Sequence, residues 1–166
     1  EMKDEIVLTS SSVEATQAFA LALAAATRAG DCIVLSGDLG AGKTHFAQGF
    51  ARGLGVERAV ASPTFNIVLQ YPEARLPLYH FDVYRLEHAS ELEDIDFYGL
   101  VEDEGVSLVE WGEKFAESID EADVQVTIKV SEDSEDTRKI SMRALTTRGT
   151  NLLVEFLSSQ NIENLE

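Results

Sequence analysis

The stretch Gly37-Asp38-Leu39-Gly40-Ala41-Gly42-Lys43-Thr44 fits G-x-x-x-x-G-K-[ST], the P-loop pattern, at every fixed position. Before it runs Cys32-Ile33-Val34-Leu35, apolar throughout, as a strand buried on both faces should be. After it runs His45-Phe46-Ala47-Gln48-Gly49-Phe50-Ala51-Arg52, which is compatible with a helix. Strand, glycine loop and helix in that order are the context the motif needs. Glycines at 37, 40 and 42 let the backbone take positive φ and wrap closely around phosphate oxygens. The amides then point inward, and the helix that follows presents its positive dipole end to an anion. Lys43 would reach the terminal phosphates, and the Thr44 hydroxyl would hold Mg²⁺. A glycine-rich turn would match by chance in about one chain in a few hundred of this size. The preceding strand decides for a nucleoside triphosphate site.

The composition is ordinary for a globular chain of 166 residues, with 45% apolar and 26% charged residues, and predicts one domain with a proper core. The charge is not ordinary. Thirteen basic against 30 acidic residues give a net charge of −17. Such a surface repels phosphate backbones, which argues against strong direct nucleic-acid binding. The acidity reads more simply as solubility or salt adaptation than as a surface for a basic protein partner. Cys32 is the single cysteine, so neither a disulfide framework nor a cysteine metal site is expected, and a reducing compartment fits. No stretch approaches the ~20 apolar residues of a membrane span. The apolar run 18–29 is short, has no basic segment before it and carries Arg28, so it does not read as a signal peptide. A cytoplasmic location is the expectation.

Along the chain, residues 5–9 read as a strand. Ser11 with Glu14 forms a capping-box pattern that opens a helix over 13–29, ended by Gly30. Gly53 and Gly55 read as stops for the P-loop helix, and 59–64 as a strand leading to Pro63. Residues 65–71 and 77–84 read as a hairpin around a turn at 72–75. Its period of two puts His80, Asp82 and Tyr84 on one face and Phe81 and Val83 on the other. Ser90 with Glu93 repeats the capping-box pattern before a short acidic helix to about Phe97. Residues 106–110 form a buried strand that ends in a carboxylate, followed by a helix over 112–119. Residues 124–130 and 139–144 alternate like an antiparallel pair, and 152–157 begin a final helix before a polar tail from about 159. The fold expected is α/β and P-loop NTPase-like: a central parallel sheet, extended by antiparallel strands, with helices on both faces.

A P-loop needs an acidic partner for Mg²⁺, usually at the end of a neighbouring buried strand. Glu110 is the stronger candidate, because a carboxylate ending an apolar strand is costly to bury without a role. Asp82 is the second; on pattern alone it reads equally well as a solvated hairpin face. His45, His80 and His88 show no metal-ligand spacing, and Cys32 reads as core.

The P-loop is followed, in order, by Ser62-Pro63-Thr64-Phe65, His80-Phe81-Asp82-Val83-Tyr84-Arg85-Leu86, Glu91-Leu92-Glu93 and Val109-Glu110-Trp111. Over roughly residues 5–145 this combination resembles the TsaE (YjeE) family. That family's ATPase serves bacterial synthesis of threonylcarbamoyladenosine at position 37 of tRNAs reading ANN codons. The resemblance implies ATP and Mg²⁺ as cofactors and the TsaB and TsaD proteins as partners. It implies that Gly37, Asp38, Leu39, Gly40, Ala41, Gly42 and Lys43 bind the triphosphate. Thr44 and Glu110 would ligate Mg²⁺, with Asp82 supporting the metal or the attacking water. Thr64 would act like a switch residue near the γ-phosphate, and Trp111 would lie beside the nucleotide. Thr9 and Arg138 would approach the nucleoside side. Three positions depart from the family pattern: His45 stands for a frequent second Thr, Gly112 for Pro, Ala or Ser, and Asp96 for a common Gly. Two other activities compete. A P-loop small-molecule kinase would bring an Arg-rich lid, whereas the segment here carries only Arg75 and Arg85. A GTPase-like switch would bring an Asn-Lys-x-Asp motif, which the chain lacks.

Overall fold

The computed structural model describes residues 5–38, 40–63 and 65–160; Leu39 and Thr64 lie outside the described residues. Seven strands form one sheet in the order β1-β7-β6-β2-β5-β4-β3. Its centre is parallel: β6 (Val124–Val130), β2 (Cys32–Gly37), β5 (Val106–Glu110) and β4 (Leu78–Asp82) run the same way. Antiparallel strands extend both sides, with β7 (Arg138–Ala144) and β1 (Glu5–Ser10) on one and β3 (Val68–Tyr71) on the other. The mixed α/β sheet agrees with the sequence expectation.

Burial follows strand position. β2, β4 and β5 are buried along nearly their whole length because helices cover both faces. On one face, α1 (Val13–Ala25), α2 (Lys43–Gly53) and α5 (Thr147–Ser159) supply Leu23, Phe46, Phe50, Leu153 and Phe156 to a core that takes Ile33, Leu35, Leu78, Val106 and Leu108 from the strands. On the other, α3 (Glu91–Asp94), α4 (Phe97–Val101) and a 3-10 turn (Gly112–Phe115) pack Leu92, Phe97 and Phe115 on Cys32, Val34, Phe81 and Val109. β1, β6 and β7 instead alternate buried with exposed residues, as strands covered on one side do. Cys32 is a core residue. Burial, reinforced by the charges of Asp123, Glu121 and Asp31, pushes its thiol far above the usual range, so it is no nucleophile.

Several local expectations need correction. Ser12, not Ser11, caps α1 by accepting from the Ala15 amide, and the helix ends at Ala25. The Thr27 hydroxyl then donates to the Ala24 carbonyl and closes the end four residues early. Ser90 makes no cap hydrogen bond; the Glu91 carboxylate accepts the Glu87 amide instead. No strand forms over 59–63. The first hairpin strand starts three residues later than expected, the second is shorter at both ends, and the helix expected over 112–119 is one 3-10 turn. Asp96 adopts the left-handed conformation, φ 56°, which Asp tolerates better than most residues.

Gly53 ends the P-loop helix as expected, and it also makes room for a crossing helix. It is the last residue of α2, and Gly55, at φ 89°, ends the turn that follows. Gly49 and Gly53 lie one helical turn apart on α2, where the backbone of α1 crosses. A Cβ at Gly49 would sit 2.7 Å from the Gln17 Cα, and one at Gly53 would sit 2.9 Å from the Leu21 Cα. Neither backbone can yield without moving α1, whose position also sets the floor of the P-loop helix. Gly49→Ala is therefore expected to destabilise the chain by about 1–3 kcal/mol. A shift of the urea midpoint at unchanged slope measures it; an unshifted midpoint would mean that the two helices do not approach so closely.

Candidate functional site

Strand alternation and register build the site. On β4, Leu78 faces the core beneath α2, so His80 and Asp82 emerge on that same side. On β5, Val106 and Leu108 do likewise, and Glu110 follows them. Asp82 pairs with Glu110, and Glu110 with Leu35 of β2. Both carboxylates thus reach the carboxyl ends of parallel strands beside the P-loop, where ligands of open α/β sheets bind. Tyr84 does not join them. The strand ends at Asp82, and Tyr84 is exposed, its amide donating to the Asp82 Oδ1 at 3.0 Å.

The loop between β2 and α2 turns on glycines. Gly40 and Gly42 take φ 79° and 115°, and Gly42 is the N-cap of α2 with no side chain capping it. Helix geometry leaves the first-turn amides without intrahelical acceptors, so they are free to bind an anion. Arg138 steadies the loop from β7, donating from Nε to the Ala41 carbonyl at 2.8 Å.

A cleft of about 260 Å³ opens here, lined by Gly40, Gly42, Lys43, Thr44, His45, Ser62, Asp82, Glu110 and Trp111. Lys43 is only 7% exposed, and its Nζ has no hydrogen-bond partner among the described residues. The ammonium rests 3.9 Å over the Trp111 ring. A buried ammonium with no acceptor is costly, and a cation–π contact offsets only part of that cost. This is the orphaned cation that a polyphosphate would satisfy. Trp111 itself sits at φ 65°, a conformation that costs a bulky residue about 1–2 kcal/mol. That backbone aims the indole across the cleft, where Tyr84 packs on it at 4.8 Å between centroids.

Asp82 and Glu110 are 3% and 4% exposed. With the Thr44 hydroxyl they form a set of hard oxygen donors, of the kind Mg²⁺ takes beside substrate phosphates. The residues present therefore fit both a triphosphate and Mg²⁺. A second groove of about 330 Å³ lies across the same loop, lined among others by Ser11, Ser12, Thr16, Asp136 and Arg138. Gly40, Gly42 and His45 line both spaces, so the two meet at the P-loop. The site thus has two spaces, one on each side of the loop, that share these three residues. A larger cleft, of about 370 Å³, lies at the other end of β2 around Arg28, Asp31 and Arg148, and holds none of these groups.

The structure brings together Gly40, Gly42, Lys43, Thr44, Asp82, Glu110 and Trp111 on one side and Arg138 on the other. Gly37 ends β2, Asp38 is exposed and Ala41 is buried beneath the loop. Thr9 is exposed on β1, opposite Lys139, and lines neither space. Leu39 and Thr64 belong to the expected site but lie outside the described residues.

Sequence reasoning passed over His80. It is 1% exposed, and its Nε2 lies 2.6 Å from the Glu110 Oε2. The signal available was its place two residues before Asp82 on the same strand face. His45 was noted only as a departure from the pattern, yet it is a wall of both spaces.

A family profile described as "Threonylcarbamoyl adenosine biosynthesis protein TsaE" matches residues 10–140. The tRNA threonylcarbamoyladenosine biosynthesis protein TsaE of Bacillus subtilis is 44% identical over 151 residues, which cover 91% of this chain and 93% of the relative. Its namesake in Haemophilus influenzae is 38% identical over 124 residues, covering 75% and 77%. Among solved structures, Bacillus subtilis YdiB superposes with a TM-score of 0.80 at 36% identity, covering 97% of this chain and 99% of that one.

Proposed function

This chain belongs to the TsaE family of threonylcarbamoyladenosine biosynthesis proteins, and from that premise we propose that it binds and hydrolyses Mg-ATP to support tRNA N6-threonylcarbamoyladenosine modification together with TsaB and TsaD. The observation that carries the reading is Lys43: a buried, unpartnered ammonium at a P-loop, faced by two buried carboxylates. The triphosphate would be held at the P-loop by the amides around Gly40 and Gly42, and Lys43 would serve its β- and γ-oxygens in place of the Trp111 ring. Thr44 and Glu110 hold Mg²⁺, supported by Asp82. When bound, the ion neutralises charge on the phosphate oxygens. The TsaE resemblance gives Thr64 a role at the γ-phosphate, and the nucleoside would extend toward Arg138. No helix among the described residues is long and apolar enough to cross a membrane, and a cytoplasmic place suits both tRNA processing and a lone buried cysteine.

Trp111 is the single tryptophan and reports on Lys43 directly. Its fluorescence is expected to change on titration with Mg-ATP, saturably and more weakly with Mg-GTP, while phosphate is released. Because a cation over the ring perturbs the indole, withdrawal of Lys43 suffices to produce the signal. A flat signal at saturating ATP would overturn the assignment of this cleft.

A further inference from the structure

His80 has no place in the reading above, yet its side chain reaches the site. We propose that His80 is a positioning residue: its Nε2–H holds the Glu110 Oε2, so that the other carboxylate oxygen is presented to the Mg²⁺ position. The inference rests on the Mg-ATP reading of the cleft. Its geometry is direct. His80 pairs with Leu108 in the parallel register, which sets it diagonally beside Glu110 on the same sheet face. The contact is 2.6 Å, and the two side chains are 1% and 5% exposed. A carboxylate at that distance only accepts, so the ring nitrogen donates.

Stability does not account for the pair. A buried polar pair of this kind can often be exchanged for well-packed apolar residues at no loss, because desolvation consumes the gain. This one is also incomplete: the His80 Nδ1 is buried and has no hydrogen-bond partner. A histidine kept for packing or for a core network would have both nitrogens satisfied. One that must aim a carboxylate needs only Nε2. The ring is buried and already in contact with Glu110, so the carboxylate is held before any ligand arrives. Groups that orient a metal ligand in this way commonly set the metal affinity within about 10–100-fold.

The test compares His80→Leu, which keeps bulk and removes the donor, with His80→Gln, whose amide nitrogen can reach the place of Nε2. Both are read by Trp111 fluorescence, with ATP titrated in EDTA and Mg²⁺ then titrated at saturating ATP. His80→Leu is expected to bind Mg-free ATP as the parent does, but to need about 10–100-fold more Mg²⁺. His80→Gln should recover most of that loss. Turnover should follow, with kcat falling at limiting Mg²⁺ and KM for ATP little changed. If His80→Leu does not fold, His80→Asn replaces it, since its shorter amide cannot reach Glu110. Parental Mg²⁺ dependence in the variant lacking the donor would overturn the proposal, as would equal impairment of His80→Gln. A parent chain that gives no ATP signal at all would instead overturn the underlying reading, and the proposal with it.

Discussion

Lys43→Ala is expected to lower ATP turnover by at least about 10²–10³-fold, the loss typical of removing one preorganised group that meets transition-state charge. Affinity for ATP should fall less, by roughly the 1.5–3 kcal/mol of one hydrogen bond to a charged group. The fold should be almost indifferent. In the free chain the Lys43 ammonium has no hydrogen-bond partner, so its removal relieves a buried charge while forfeiting the contact with Trp111. Those two effects oppose each other, and the midpoint of thermal unfolding is expected to stay close to the parental one. The Trp111 response to nucleotide should disappear, because the cation that moves is gone. Calorimetry, phosphate release and thermal unfolding on one preparation check all of this. Parental affinity and turnover would mean that ATP is bound and cleaved without this ammonium, and the assignment of the P-loop as the triphosphate site would be wrong.

The parts of this site that were legible in the sequence are those set by backbone chemistry. A loop that must take positive φ at Gly40 and Gly42 announces itself by glycine, and an acid at the end of an apolar strand announces itself by its cost. The parity that put His80 with Asp82 was legible too. What could not be read was the register between strands: that His80 lies diagonal to Glu110 depends on β4 pairing with β5 in parallel, a contact between residues 30 positions apart. Gly53 shows a different limit. A glycine at a helix end and a glycine that admits a crossing helix look alike in one dimension. Only Gly49, four residues earlier on the same face, distinguishes them, and it does so only once α1 is in place. Helix lengths failed for a related reason. Short-range hydrogen bonds such as Thr27 to Ala24 and Glu91 to Glu87 competed with the caps that the local patterns predict.

With TsaB and TsaD present, the slow turnover expected of the lone chain should rise steeply, within the roughly 10³–10⁵-fold that a supplied arginine contributes to phosphoryl transfer. The cleft explains why it should be slow alone. Lys43 is the one lysine or arginine among its described lining residues. Arg138 is committed to the Ala41 carbonyl on the other side of the loop. Arg85 lies over the Phe65 ring at 5.5 Å, on the surface, rather than in the cleft. Beyond the proposed Mg²⁺, the charge that develops on the γ-phosphate therefore lacks a second cationic side chain among the described lining residues. Beside the site, Phe65 is 83% and Tyr84 54% exposed, a cost in water that a docked protein would remove. Docking there would also bear on the Ser62–Phe65 segment, to which Thr64 belongs. A net charge of −17 is suited to docking on a basic surface, and if the partners dock that way stimulation should weaken as salt rises, through slower association more than through the chemical step. Steady-state ATPase assays with and without each partner, at low and high salt, decide the matter. Brisk hydrolysis by the isolated chain, unmoved by either partner, would require a cation already in the cleft, and the dependence on TsaB and TsaD would have to be abandoned.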